Sequence, residues 1–278
     1  MLGNDTFNSD SLSASALSNI LGSDKAPLIL DVRRESAFNA SRWVLPAARR
    51  ALHSDPAAAL TGDVSRGIVC YCVHGHHVSQ MAASLLRSQG YQAAWLEGGI
   101  DAWESAGGVL IARAPDAEAR YGAGTLWVTR RRPKIDRVAC PWFIRRFVDP
   151  NARFLFVEGA YVLAIAEDMH AIAFDVEGAA VTHDGPRCSF DTLLDRYDVA
   201  DAALRRLAEI VRGSDTANLD LAREAGGLLS ISLGLSALEG DDRVMLERGF
   251  HLYDGLYAYL RFAAEEPHNW PPKAGGRV

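Results

Sequence analysis

The chain has 278 residues, 49% of them hydrophobic and 23% charged, with a formal net charge of −6. That length favours two domains over one, and the composition is that of a globular protein able to bury a core. The acidic balance argues against non-specific nucleic-acid binding, and no basic tract exceeds Arg130-Arg131-Arg132. The N-terminal segment lacks the cationic-then-apolar pattern of a signal peptide. No apolar run approaches the roughly 18 residues of a membrane helix, so a cytoplasmic protein without membrane insertion is expected. The four cysteines, at 70, 72, 140 and 188, are too scattered for a disulfide framework and suit a reducing compartment.

Asp10-Ser11 followed by LSASALSNIL reads as a capped amphipathic helix. APLILDV (26–32) is a short apolar run and a buried strand, with Asp31 and Arg33 at its end. A short helix follows over 34–39, then a turn into an edge segment at 43–48 and a helical stretch at 55–60. Ile68–Tyr71 is the next buried strand. It runs into Cys72, a polar loop around Gly75, and a helix over about 78–89 closed by Gly90. Residues 91–96 form another strand, and Glu97-Gly98-Gly99 turns into a helix holding Trp103. Strands alternating with helices predict an α/β domain with a mainly parallel sheet over residues 1–112.

Residues 113–124 are small, polar and Gly/Pro-containing, and read as a linker. Beyond it, over 125–278, the pattern is that of a helix-rich α+β second domain. Strands are expected at 126–129, 154–157 and 171–174, near the start of this half. The segment from Ile135 to Phe147 is helix-spaced, with Pro141 kinking or starting the helix. Strong helical patterns occupy 201–212 and 219–264.

Cys72 is the candidate catalytic residue. A thiol at a strand-to-helix junction sits at the positive end of the helix, where backbone N–H groups converge, and both features favour thiolate chemistry and oxyanion binding. The competing reading is a buried small hydrophobe, the usual state of a free cysteine. His74, His76 and His77 add positive charge to the loop when protonated. Cys70 lies two residues earlier on the same strand face, where a core thiol is the better reading than a resolving one.

DVRRESAF (31–38), the loop at 72–78 and WLEGGIDAW (95–103) together resemble a single rhodanese domain over about residues 10–112. The resemblance implies a sulfurtransferase in which Cys72 attacks a sulfane sulfur and carries it as a persulfide. The amides of Val73, His74, Gly75, His76, His77 and Val78 would cradle the anion, and Asp31 and Arg33 would organise the fold. The loop departs from related phosphatases, which place an arginine where this chain has Val78. The phosphate clamp is missing, which argues against phosphatase activity.

WVTRRRPKIDRVACPWFIRRFVDPNARFLFVEG, FDVEGAAVTHDGPRCSFDTLL, GLLSISLGLSALEGDD and LYDGLYAYLRF resemble the C-terminal domain of ChrB-type chromate resistance proteins over about 125–264. That implies a role in chromate tolerance without fixing a chemistry. The candidate residues here are Asp136, Arg137 and Cys140, with Arg145 and Arg146 as a cationic wall for an oxyanion. His183 and Cys188 flank the Gly185-Pro186 turn and could reach one metal ion, with Glu224 as a distant completer. No cofactor is demanded by the pattern, and this metal ion is the one candidate. Two functions stand. One is a sulfurtransferase acting between a small sulfur donor and acceptor. The other is a chromate- or metal-binding sensor whose loop cysteine turns over little.

Overall fold

The structure is a computed structural model that describes residues 9–113 and 124–266. The linker expected over 113–124 therefore lies almost wholly outside the described residues.

The first half is built on a five-stranded parallel sheet: β1 (Ser11–Leu12), β2 (Leu28–Asp31), β4 (Arg49–Arg50), β5 (Ile68–Tyr71) and β6 (Ala93–Leu96), in the order β1-β6-β5-β2-β4. β2 pairs in register with β5 from Leu28 opposite Ile68 to Asp31 opposite Tyr71. Side chains alternate between the two faces of these strands, as a period of two requires. Ile29, Val69 and Tyr71 join one buried cluster, while Leu30, Cys70 and Cys72 join the other. The second cluster is covered by α3 (His77–Ser88) through Val78, Ala82, Ala83 and Leu86. The opposite face takes α1 (Ala14–Ile20) and α4 (Gly99–Ser105), with α2 (Glu35–Asn39) beyond β2. A small antiparallel pair, β3 (Trp43–Val44) with β7 (Ile111–Ala112), ties the end of the half to its middle.

Two boundaries differ from the sequence pattern. The first helix is capped by Ser13, whose side chain accepts from Ala16 N–H, because Ser11-Leu12 are drawn into the sheet edge beside β6. Residues 56–59 form a 3-10 turn rather than an α-helix.

The second half opens with a three-stranded parallel sheet in the order β10-β8-β9: β8 (Leu126–Arg130), β9 (Arg153–Val157) and β10 (Ile172–Ala173). Between β8 and β9 lies α5 (Asp136–Phe143), which carries Pro141 inside it and widens into a π turn over Ile144–Val148. The proline neither starts the helix nor ends it. It removes one N–H from the ladder. α6 (Val162–Asp168) leads to β10, and α7 (Ser189–Arg196), α8 (Ala202–Asp215), α9 (Ala225–Leu238) and α10 (Asp242–Ala258) complete a helix-rich body. Asp201 and Asp241 cap α8 and α10 through their side chains. The helical pattern read over 219–264 is broken at Glu239-Gly240, where the chain turns between α9 and α10. Among the described residues no helix is long and apolar enough to cross a membrane.

One apolar cluster runs through both halves. Leu17, Ile20 and Trp103 share it with Trp142, Phe147 and Tyr257.

Candidate functional site

The Cys72 loop is set by backbone packed on backbone. Ile100 and Asp101 N–H donate to the carbonyls of Cys72 and Val73, at 3.0 and 3.2 Å. This contact needs glycine on both sides. Gly75 and Gly99 have φ of +68° and +61°. A Cβ on Gly75 would meet Gly98 N and Leu96 O at 2.5 Å, and one on Gly99 would meet the Cys72 and Val73 carbonyls at 2.3 Å. The LEGG segment is therefore the floor of the loop.

Cys72 is 6% exposed, and its Sγ lies 3.2 Å from Ser79 Oγ, a fully buried hydroxyl in the first turn of α3. That hydroxyl also lies 3.2 Å from His76 O. It has one proton for two acceptors, so the partner it serves depends on whether the sulfur carries its own proton. Ser79 escaped the sequence reading, although it lies seven residues after Cys72, on the first turn of the predicted helix. Among the described residues, none of the backbone N–H groups of residues 73–79 has an acceptor in the protein. Seven N–H donors along the loop and the first turn of α3 are thus left without a protein acceptor. His74, His76 and His77 are exposed, and His74 Nδ1 lies 2.8 Å from Asp101 Oδ2. Val78 is buried against the sheet.

Asp31 and Arg33 lie beside the loop and are 1% and 2% exposed. Arg33 Nε and Nη2 donate to the Asp31 carboxylate, Tyr71 O–H donates to Asp31 Oδ2 at 2.7 Å, and Arg33 Nη2 also donates to Trp43 O. The pair is consumed by the scaffold. Cys70 is fully buried, and desolvation pushes its thiol up to about 12.

In the second half the expected residues separate. Arg145 donates to Ala152 O and pairs with Glu247, and Arg146 makes two bonds to Asp254, at 2.9 and 2.8 Å. Trp142 Nε1 donates to the same Asp254 carboxylate. The two arginines line a cleft of about 330 Å³ between the halves, together with Arg49 and Asn151, but both are already paired. Cys140 is fully buried, and burial followed by the nearby Asp136 charge pushes its thiol well up. Cys188 caps α7 and is closed on Asp191, whose carboxylate accepts from its N–H and S–H. Glu224 is engaged by Arg206, Arg223 and Tyr259. The grouping of His183 with Cys188 and Glu224 is thus not what the fold assembles.

His183 instead meets three carboxylates. Its Nε2 lies 3.3 Å from Asp136 Oδ2, 3.6 Å from Asp175 Oδ1 and 3.2 Å from Asp215 Oδ2. Asp136 is the first residue of α5, Asp175 and His183 flank the turn after β10, and Asp215 ends α8. The approach to Asp136, with the charges of Asp136, Asp215 and Asp175, outweighs desolvation and raises the imidazole to about 9. Burial and the neighbouring Asp136 and Asp175 raise Asp215 to about 7. Arg137 Nε and Arg130 Nη2 both lie on Asp175 Oδ2, at 3.1 and 2.8 Å. Asp175, which lies in the same ChrB-like segment as His183, and Asp215, a lone aspartate at the end of α8, were not singled out by the sequence reading.

Residues 13–106 match the rhodanese-like domain, and residues 127–260 match the C-terminal domain of ChrB. The chain joins a rhodanese-like domain to a ChrB C-terminal domain. A curated relative, Protein ChrB of Cupriavidus metallidurans, is 39% identical over 139 residues, covering 49% of this chain and 41% of the relative. The match thus spans less than half of that relative's length. A rhodanese-related protein from Thermoplasma volcanium is 24% identical over 38% of this chain and 100% of its own, with a TM-score of 0.32. A rhodanese-like domain protein from Staphylococcus aureus is 24% identical over 34% and 91%, with a TM-score of 0.30. The Cys72 loop lies inside the rhodanese-like domain, and the His183 cluster lies inside the ChrB C-terminal domain.

Proposed function

We propose that the rhodanese-like domain is a sulfurtransferase that carries sulfane sulfur on Cys72. The observation that supports this reading best is the run of unpartnered N–H groups over residues 73–79, directly after a cysteine at a strand-to-helix junction. The Cys72 thiolate attacks the outer sulfur of a donor such as thiosulfate. A new S–S bond forms, the donor's S–S bond breaks, and sulfite leaves with the electron pair. A nucleophilic acceptor such as cyanide then takes the outer sulfur and returns the thiolate. Negative charge moves across the sulfurs in both steps, and fixed N–H donors stabilise it without reorganising. The absence of an arginine at Val78 suits a sulfur anion held by amides rather than a phosphate held by a guanidinium.

The likeness of residues 127–260 to the ChrB C-terminal domain supports a role for this chemistry in chromate tolerance, and the setting we propose is cytoplasmic. A second reading has its own support. Cys72 is the least buried of the four cysteines, at 6% exposed against 0% for the others. Chromate is a strong oxidant, so the same thiol would also serve as a redox sensor. Thiocyanate formation from thiosulfate and cyanide, with intact mass before and after thiosulfate, decides between them. Wild type is expected to turn over and to gain ~32 Da as a persulfide, and Cys72→Ser to do neither while remaining folded. Equal turnover in Cys72→Ser would refute the sulfurtransferase reading. No turnover and no adduct in wild type would favour the sensor.

A further inference from the structure

We infer that the ChrB C-terminal domain of this chain holds a divalent transition-metal ion on Asp136, Asp175 and His183, with Asp215 at its edge. One ligand atom from each of the first three lies within 4.8 Å of the others. The spacing suits a shared ion. Donors bound at about 2.0–2.2 Å, at angles between octahedral and tetrahedral, stand roughly 3.0–3.6 Å apart. His183 Nε2 lies 3.3 Å from Asp136 Oδ2 and 3.6 Å from Asp175 Oδ1, inside that window. The Asp215 oxygen at 3.2 Å from the same nitrogen falls there too.

A cluster of acids alone would carry little, and the independent observation is Asp136. Its side chain is 2% exposed, and Oδ2 is buried with no hydrogen-bond partner among the described residues. The His183 nitrogen approaches this oxygen without hydrogen-bond alignment. The facing His183 imidazole offsets the charge of this carboxylate but gives Oδ2 no hydrogen bond, and a buried oxygen left without a donor is costly. No arginine relieves it. Arg130 and Arg137 are both committed to the far oxygen of Asp175, which leaves Oδ1 turned toward His183 with only Ser189 O–H donating to it. A cation at the centre would satisfy the orphaned Asp136 oxygen and the facing oxygens of Asp175 and Asp215 together.

The donor set indicates the kind of ion. One imidazole with carboxylate oxygens suits zinc, manganese or iron, while the soft thiols that would select copper(I) are turned away. Cys188 is closed on Asp191 and Cys140 is sealed in the core. His183 is the solvent-side member, with its side chain 40% exposed, so an ion could enter past it. Among the described residues no hydrogen bond or ion pair links the cluster to the Cys72 loop, so this inference stands or falls apart from the sulfurtransferase reading.

The test uses the full chain, stripped with EDTA and desalted. Manganese(II) is titrated and free ion is read by electron paramagnetic resonance, with zinc(II) as competitor. One manganese ion per chain is expected, displaced by one zinc. Asp136→Asn and His183→Gln should each weaken binding by about 100-fold or more, beyond the effect of losing an outer partner. Cys72→Ser should leave binding unchanged, which separates this site from thiol capture of zinc. His183→Gln is the safer variant for folding, because the residue is partly exposed, and it should keep its far-ultraviolet circular dichroism and thiocyanate turnover. No bound ion in wild type would overturn the inference and assign the Asp136 oxygen to water alone. Unchanged affinity in folded His183→Gln would overturn it as well.

Discussion

The four cysteines differ by position, and that difference is measurable. Cys72 directly follows β5 and is 6% exposed, whereas Cys70, Cys140 and Cys188 are fully buried. Desolvation holds Cys70 as a thiol up to about pH 12, and it pushes Cys140 and Cys188 up as well. Since the thiolate is the reactive form, iodoacetamide applied to the native protein at mildly alkaline pH should label Cys72 ahead of the other three. Peptide mapping checks this, and prior labelling of Cys140 would contradict the burial described. Ser79 makes the companion prediction. Among the described residues its hydroxyl is the one side-chain hydrogen-bond partner of the Cys72 sulfur. Ser79→Ala should lower thiocyanate turnover by roughly 10-fold, the scale of one hydrogen bond of about 1.4 kcal/mol to a charged group, while the intact-mass adduct still forms. Full turnover in Ser79→Ala would show that the amides alone suffice.

At the scale of elements, β2 and β5 present the loop, and the buried Asp31–Arg33–Tyr71 network locks their ends together. Arg33→Met would leave Asp31 buried with Tyr71 as its only side-chain donor among the described residues. Breaking a buried pair from one side costs about 3–5 kcal/mol, so the urea midpoint should fall substantially while the folded fraction keeps its persulfide chemistry. Loss of the adduct in a folded Arg33→Met would instead place the guanidinium in the reaction. The sequence made this half readable because its signals are local: apolar runs of strand length, a DVR at a strand end, and paired glycines before Trp103. The second half was harder for a physical reason. Its helices α8 and α10 announce themselves by capping aspartates and periodicity, and the strands by short apolar runs. Its polar cluster draws Asp136, the pair Asp175 and His183, and Asp215 from three separate stretches, and only packing brings them together. The sequence reading named Asp136 and His183 among the polar groups of the ChrB-like segments. It set Cys188 and Glu224 beside His183, whereas local capping claims Cys188 and arginines hold Glu224.

At the scale of the molecule, the two halves are not beads on a string. Ala47 N–H donates to Phe147 O across the boundary, Ala112 N–H donates to Tyr197 O, and Arg261 donates to Ser18 through both its carbonyl and its hydroxyl. Leu17 and Ile20 of α1 share one apolar cluster with Phe147 and Tyr257. Domains that meet through a small polar contact unfold independently, whereas a shared core couples them. Calorimetry of the full chain should therefore show one endotherm, with the calorimetric enthalpy equal to the van't Hoff enthalpy. Arg261→Ala removes two charge-assisted bonds at the boundary, and should cost about 1.5–3 kcal/mol in total. For a chain of this size that lowers the midpoint by a few degrees, roughly 2–4 °C per kcal/mol at most. The decisive feature is the shape of the change: the whole endotherm should move while staying single. Two resolved endotherms in wild type, or an Arg261→Ala trace in which only one part shifts, would mean that the continuous core does not couple the rhodanese-like and ChrB C-terminal domains.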